Sequence, residues 1–137
     1  AGADARVLLA LWDLHTEQGA HDKALSAASA VPRTSRFDRQ AQYAAAWSMI
    51  ELRRFDEAYA RLQSLDAERA SPWLSNALGV IQMRRGSTPQ TGLPTFFFTR
   101  AADQAPDHPD FLFNLGYAYA RSRDANAAIY WLREVVR

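Results

Sequence analysis

Two helical patterns stand on either side of a short polar break between Pro109 and Val136, and that arrangement restricts the chain more than any other feature. Leu112, Leu115, Gly116 and Tyr119 fall at i, i+3, i+4 and i+7, one stripe of an α-helix. After Arg123-Asp124-Ala125-Asn126, the same spacing returns in Ala128, Trp131, Leu132 and Val135. Pro109 suits a first helical turn, where its missing N–H has no intrahelical partner to lose. Gly116 lies mid-helix, where glycine costs roughly 1 kcal/mol relative to alanine. Close approach of a neighbouring helix is the expected compensation. Two helices this short cannot bury both apolar faces between them, so they require similar neighbours.

Those neighbours are legible upstream. Taking the break as a register mark gives Gly19, Arg53, Gly86 and Arg123, separated by 34, 33 and 37 residues. Ala24, Ala58 and Ala128 open the second helix of their units, and Pro94 holds that place in the third. The longer last interval implies an insertion of about three residues between Gly86 and Pro94. The helix–turn–helix period and the signature Leu112-Leu115-Gly116-Tyr119 with Ala128, Leu132 and Val135 resemble the tetratricopeptide repeat family. The third unit carries Leu78-Gly79, Gly86, Phe98, Ala101 and Pro106, and the second Ala45-Ala46, Met49, Ala58, Leu62 and Leu65. The first keeps Leu8, Leu11, Gly19, Ala24 and Ala28, then turns early at Pro32. The resemblance spans about residues 5 to 137 and implies an all-α, right-handed α-α superhelix of about four repeats, at about 5–34, 38–69, 71–108 and 109–137.

Helices are expected at about 5–17, 22–30, 38–52, 56–67, 72–85, 94–104, 109–122 and 125–136. Residues 1 to 4 read as a frayed end. Val31-Pro32 stops the second helix, because the residue before proline avoids the αR region. The third should be capped by Ser35 or Asp38, and the fifth by Ser71 with Pro72 at its first position. Gly86 to Thr95 is the one long loop. Of the triplet beside it, Phe98 should be core, Phe97 should lie under the loop and Phe96 should be partly exposed. The last helix ends without a cap, its apolar stripe suited to packing on a further repeat. That edge predicts either a piece of a longer array or a homodimer through residues 125–136.

Catalytic chemistry finds no foothold. His15 and His21 are six residues apart across a break, unlike the i, i+4 spacing of a helical metal pair. His108 sits in a turn, the serines lack a plausible base, and Gly86 to Gly92 lacks the lysine of a phosphate loop. The sequence therefore predicts neither enzyme, metal nor cofactor. Cysteine is absent, which excludes disulfides and leaves the compartment, cytoplasmic or periplasmic, open. No run of 18 apolar residues suggests a membrane span, and the start has no basic-then-apolar signal pattern. A net charge of +1 argues against a nucleic-acid binder.

What remains is surface shape. The resemblance implies that the first helix of each unit lines a concave groove where an extended peptide or protein segment binds. Projected from the core stripe, the groove side carries Asp110, Phe113, Asn114, Tyr117 and Arg121 in the fourth unit. Trp73, Asn76, Ala77, Val80 and Arg84 follow in the third, Gln40, Tyr43, Ala44, Trp47 and Ile50 in the second, and Leu9, Asp13 and Thr16 in the first. Asparagine can bond an extended backbone through both donor and acceptor, and rigid aromatics give contact area at low entropic cost. The expected peptide-binding residues are Tyr43, Trp47, Trp73, Asn76, Arg84, Phe113, Asn114, Tyr117 and Arg121. The lysine by which some family members grip a peptide carboxylate is missing from every such place.

Overall fold

A computed structural model describes residues 4–137 and, among them, gives eight helices and no strand. They are α1 (Ala5–Glu17), α2 (His21–Ser29), α3 (Asp38–Glu51), α4 (Phe55–Glu68), α5 (Pro72–Arg85), α6 (Pro94–Gln104), α7 (Pro109–Arg121) and α8 (Ala125–Val135). Every boundary lies within one residue of the sequence expectation. The chain divides into two compact units, Ala1–Leu65 and Asp66–Arg137. In the first, α1 contacts α2 and α2 contacts α3; in the second, α5, α6, α7 and α8 contact each other in sequence.

The break residues explain why the helices stop. Gly19, Arg53, Gly86 and Arg123 all have positive φ, at 73°, 62°, 82° and 66°. At three of them the closing bonds repeat. The residue after the break donates to a carbonyl five positions back: Ala20 to His15 at 2.8 Å, Arg54 to Met49 at 2.8 Å and Asp124 to Tyr119 at 3.0 Å. The break residue itself donates three positions back, as Gly19 does to Thr16 and Arg123 to Ala120. This is the Schellman closure, which satisfies carbonyls that a helix end leaves open. Gly86 instead continues extended, with ψ 150°, into the loop.

In the third and fourth repeats a small residue on the first helix faces a large one on the second. A Cβ on Gly116 would stand 2.8 Å from Leu132 Cγ, and one on Gly79 would stand 2.6 Å from the Phe98 ring. The partner lies 16 residues on in the first case (116 to 132) and 19 in the second (79 to 98), the difference being the three-residue insertion. In register with these, Ala46 and Leu62 are both fully buried. The first repeat reverses the sizes, with Trp12 at the small position and buried Ala28 sixteen residues on. Trp12 packs against a cluster of Ala28, Ala44 and Ala45. In the second unit Phe98, Ala102, Leu112, Leu115 and Ala118 form the centre, flanked by Val80, Met83, Trp131 and Val135.

Three sequence expectations need correction. Asp4 belongs to the ordered chain: its carboxylate accepts from Arg6 N–H at 2.8 Å and caps α1, while residues 1–3 lie outside the described ones. Neither Ser35 nor Asp38 caps α3. A turn, Ser35 N–H to Pro32 and Asp38 N–H to Ser35, intervenes, so the Ser35 hydroxyl accepts from Phe37 N–H at 3.0 Å and Asp38 is already helical. On α8, most of the apolar stripe turns inward: Ala128 is buried and Trp131 and Val135 pack on the core, leaving Ile129, Tyr130 and Val136 exposed. The phenylalanine triplet falls as expected, with Phe98 and Phe97 buried, Phe96 exposed and Phe97 under Gly92 of the loop. Buried Gln82 ties that loop down, donating to the Thr91 and Gly92 carbonyls at 2.8 and 2.9 Å.

Candidate peptide-binding surface

In the second unit, α5 and α7 carry seven of the nine expected residues. Phe113, Tyr117 and Arg121 recur every four positions along α7 and so share a face. The Phe113 and Tyr117 rings are nearly parallel, with centroids 6.2 Å apart and 8° between planes, and both are exposed. The Arg121 guanidinium donates to the Tyr117 hydroxyl at 3.4 Å. Beside them the half-buried Asn114 donates through Nδ2 to Asn76 Oδ1 at 2.8 Å. Asn76 is only 7% exposed, so this bond fixes both amides and leaves the Asn114 carbonyl and second N–H for other partners.

Trp73, in the first turn of α5, is exposed on one side and held on the other. Its ring meets Phe111 edge-on at 4.9 Å and His108 at 5.0 Å. His108 is structural: it caps α7 by accepting from Asp110 N–H at 3.3 Å and stacks on Phe111 at 4.2 Å. Arg84 is exposed in the last turn of α5. Ala77, expected on this stripe, is fully buried and belongs to the core. One position on a helix turns the side chain by about 100°, and the stripe in α5 therefore runs through Trp73, Asn76, Val80 and Arg84.

The first unit holds the other two residues. Tyr43 and Trp47 are half-buried neighbours on α3, their rings 6.3 Å apart and perpendicular at 88°. Burial pushes the Tyr43 phenol up, against a side-chain hydrogen bond with Trp47 that acts to lower it, so the phenol is neutral. Ala44 and Ile50, placed with them by sequence, are core residues. Tyr43 and Trp47 instead open onto a cleft of about 440 Å³, walled also by Trp12, Thr16, His21, Ser48 and Glu51. The Trp12 indole N–H donates to Ser48 Oγ at 2.8 Å, which joins α1 to α3 beside the cleft. Sequence reasoning missed Trp12 and Ser48. The available signal was a tryptophan at the repeat position that glycine or alanine fills elsewhere.

Among the described residues, no group of three or more histidine, aspartate or glutamate side chains could hold a metal ion, and no helix is long and apolar enough to cross a membrane.

No family model and no curated protein matches the sequence. Solved structures do. YrrB, described as a TPR protein with an unusual peptide-binding site, superposes with a TM-score of 0.70 over 96% of this chain and 67% of its own, at 16% identity. The fold is the tetratricopeptide repeat. A MamA crystal structure matches this repeat fold at a TM-score of 0.74 over 97% of this chain and 77% of its own, at 15% identity. MamA from Desulfovibrio magneticus RS-1 does so at 0.77 over 97% and 74%, at 16% identity. At such identities the likeness is one of fold alone.

Proposed function

We propose that this chain is a non-enzymatic protein-interaction scaffold that binds a short, partly apolar peptide or segment along the first helices of its repeats. The observation that carries this reading is the second unit's exposed Phe113–Tyr117 platform beside the Asn76–Asn114 pair. Rings that offer area with few rotors, next to an amide with unused donor and acceptor, suit an extended backbone with apolar side chains. Trp73, Arg84 and Arg121 complete the surface in that unit, and in the first unit Tyr43 and Trp47 offer a ring pair of their own. The peptide-binding site named for YrrB supports the same class of partner here.

The test is peptide selection against the whole chain, followed by titration of the selected peptide into variants. Phe113→Ala and Asn114→Ala should each weaken it about tenfold or more, and Asn114→Ala should also lower the melting temperature, because it leaves the buried Asn76 carbonyl without its donor. A peptide indifferent to both substitutions would sink the assignment. A second reading, self-association through residues 125–136, is favoured by exposed Ile129, Tyr130 and Val136.

A further inference from the structure

We infer that copies of this chain join head to tail, the outer face of α8 on one copy meeting the outer face of α1 on the next. The inference rests on the self-association reading and names the surface that the α8 edge meets.

Those two faces are the two halves of a contact that the chain already makes. In the second unit, Phe98 and Ala102 of α6 pack with Leu112, Leu115 and Ala118 of α7. One repeat on in register (98 to 132), Leu132 takes the place of Phe98, Val136 that of Ala102 and Ile129 that of Thr95. Among the described residues α6 contacts both α5 and α7, whereas α8 contacts α7 alone. Ala102 is accordingly 5% exposed and Val136 84%. The other half of the contact recurs on α1, where Leu8, Leu11 and Leu14 take the places of Leu112, Leu115 and Ala118 (11 to 115). Leu11 and Leu14 are exposed, as is Val7 beside them. In α3, which contacts α2, the places of Val7, Leu11 and Leu14 are held by Ala41, Ala45 and Ser48, all buried. Within each unit, then, this stripe is buried wherever the preceding helix packs on it.

A second copy suits both faces at once. Leucine for Phe98 removes bulk, and valine and leucine for Ala102 and Ala118 restore it, so an apolar set of similar volume meets across the contact. Charge raises no obstacle. Arg6, Asp13 and Glu17 of α1 stand where α7 has Asp110, Tyr117 and Arg121, which stay exposed although α6 packs on that helix. Arg133 replaces half-buried Thr99, and its long side chain can carry the guanidinium out to the rim. Because the two faces differ, the contact is heterologous, and a joined pair still offers one face of each kind.

The test mixes two variants of the whole chain. Leu11→Glu with Leu14→Glu spoils the α1 face, and Ile129→Glu with Val136→Glu spoils the α8 face, all at exposed positions where melting should change little. By light scattering, the wild-type mass should rise with concentration, and each variant alone should keep the mass of one chain. Their equal mixture should reach the mass of two chains and stop there, since one intact α8 face meets one intact α1 face. A second measurement does without the charged variants. The chain has no cysteine, so Val7→Cys and Val136→Cys, at the places of Phe111 and Ala102, can be oxidised separately and together. The mixture should give severalfold more disulfide dimer than either alone, and equal yields would overturn the inference. A mixture of glutamate variants that stays monomeric would do the same. If the α1 variant associates as the wild type does and the α8 variant does not, this inference falls and self-association through α8 alone stands. A wild-type chain that never associates defeats both.

Discussion

Single residues in this chain are chosen for the space around them. Gly116 is the clearest case, since a Cβ there would meet Leu132 Cγ at 2.8 Å and the Leu132 backbone nitrogen at 3.2 Å. A side chain can rotate away, but the backbone of α8 cannot without shifting the helix. Gly116→Ala should therefore destabilise by about 1–3 kcal/mol despite alanine's better helix propensity, and Gly116→Leu by more. Thermal or denaturant unfolding measures this; an unchanged or raised midpoint would show that α8 yields freely. The close approach was legible because a mid-helix glycine has to be compensated, whereas the partner atom was not. Asn76 shows the opposite limit. Its place beside the groove could be read from spacing, but its burial depends on Asn114 arriving from another helix, and no local pattern encodes that.

At the scale of the helix ends, the sequence displays the positions of the breaks and conceals their cost. Two of the four break residues are arginines in the left-handed region, where a Cβ is penalised by roughly 1–2 kcal/mol while glycine gives back about half to one of these in chain entropy. Arg123→Gly should thus stabilise by up to about 1 kcal/mol, read as a rise in unfolding midpoint, and a fall would mean that the arginine side chain makes a contact worth more than its strain. The opposite end of a helix gives a pH prediction. The Arg6 side chain and then its N–H hydrogen-bond the Asp4 carboxylate and lower its pKa from 3.8 to about 2. Because the folded value lies below the unfolded one, the cap's contribution is fully present above pH 4 and fades as pH falls through about 2. Protection of the amides at the start of α1, taken relative to their intrinsic exchange rates, should fall over that window and not near neutrality. Loss of protection already at pH 5 would contradict the cap.

Taken as a whole chain, the repeat register explains both what is buried and what is left open. Val7, Leu11 and Leu14 on α1 stand at the same register as Phe111, Leu115 and Ala118 on α7. The α7 residues are 1%, 0% and 4% exposed, in a helix that contacts α6, whereas the α1 residues are 54%, 38% and 55% exposed. The stripe is thus an inter-repeat surface wherever a preceding helix covers it. Its period was readable from the sequence, but which copies lack a cover is set by neighbours in space. The exposed edge of α8 follows the same logic, with Ile129 and Tyr130 turned away from the core that holds Trp131 and Val135. Self-association through that edge predicts a sedimentation coefficient that rises with protein concentration. Ile129→Glu with Tyr130→Glu should abolish the rise while shifting stability by no more than about 0.5 kcal/mol per site, as expected for surface positions. A wild-type chain that stays monomeric across the concentration range removes the self-association reading and leaves the peptide reading standing. Loss of the rise together with a large loss of stability would instead show that the two side chains support the helix, and would remove the edge as an interface.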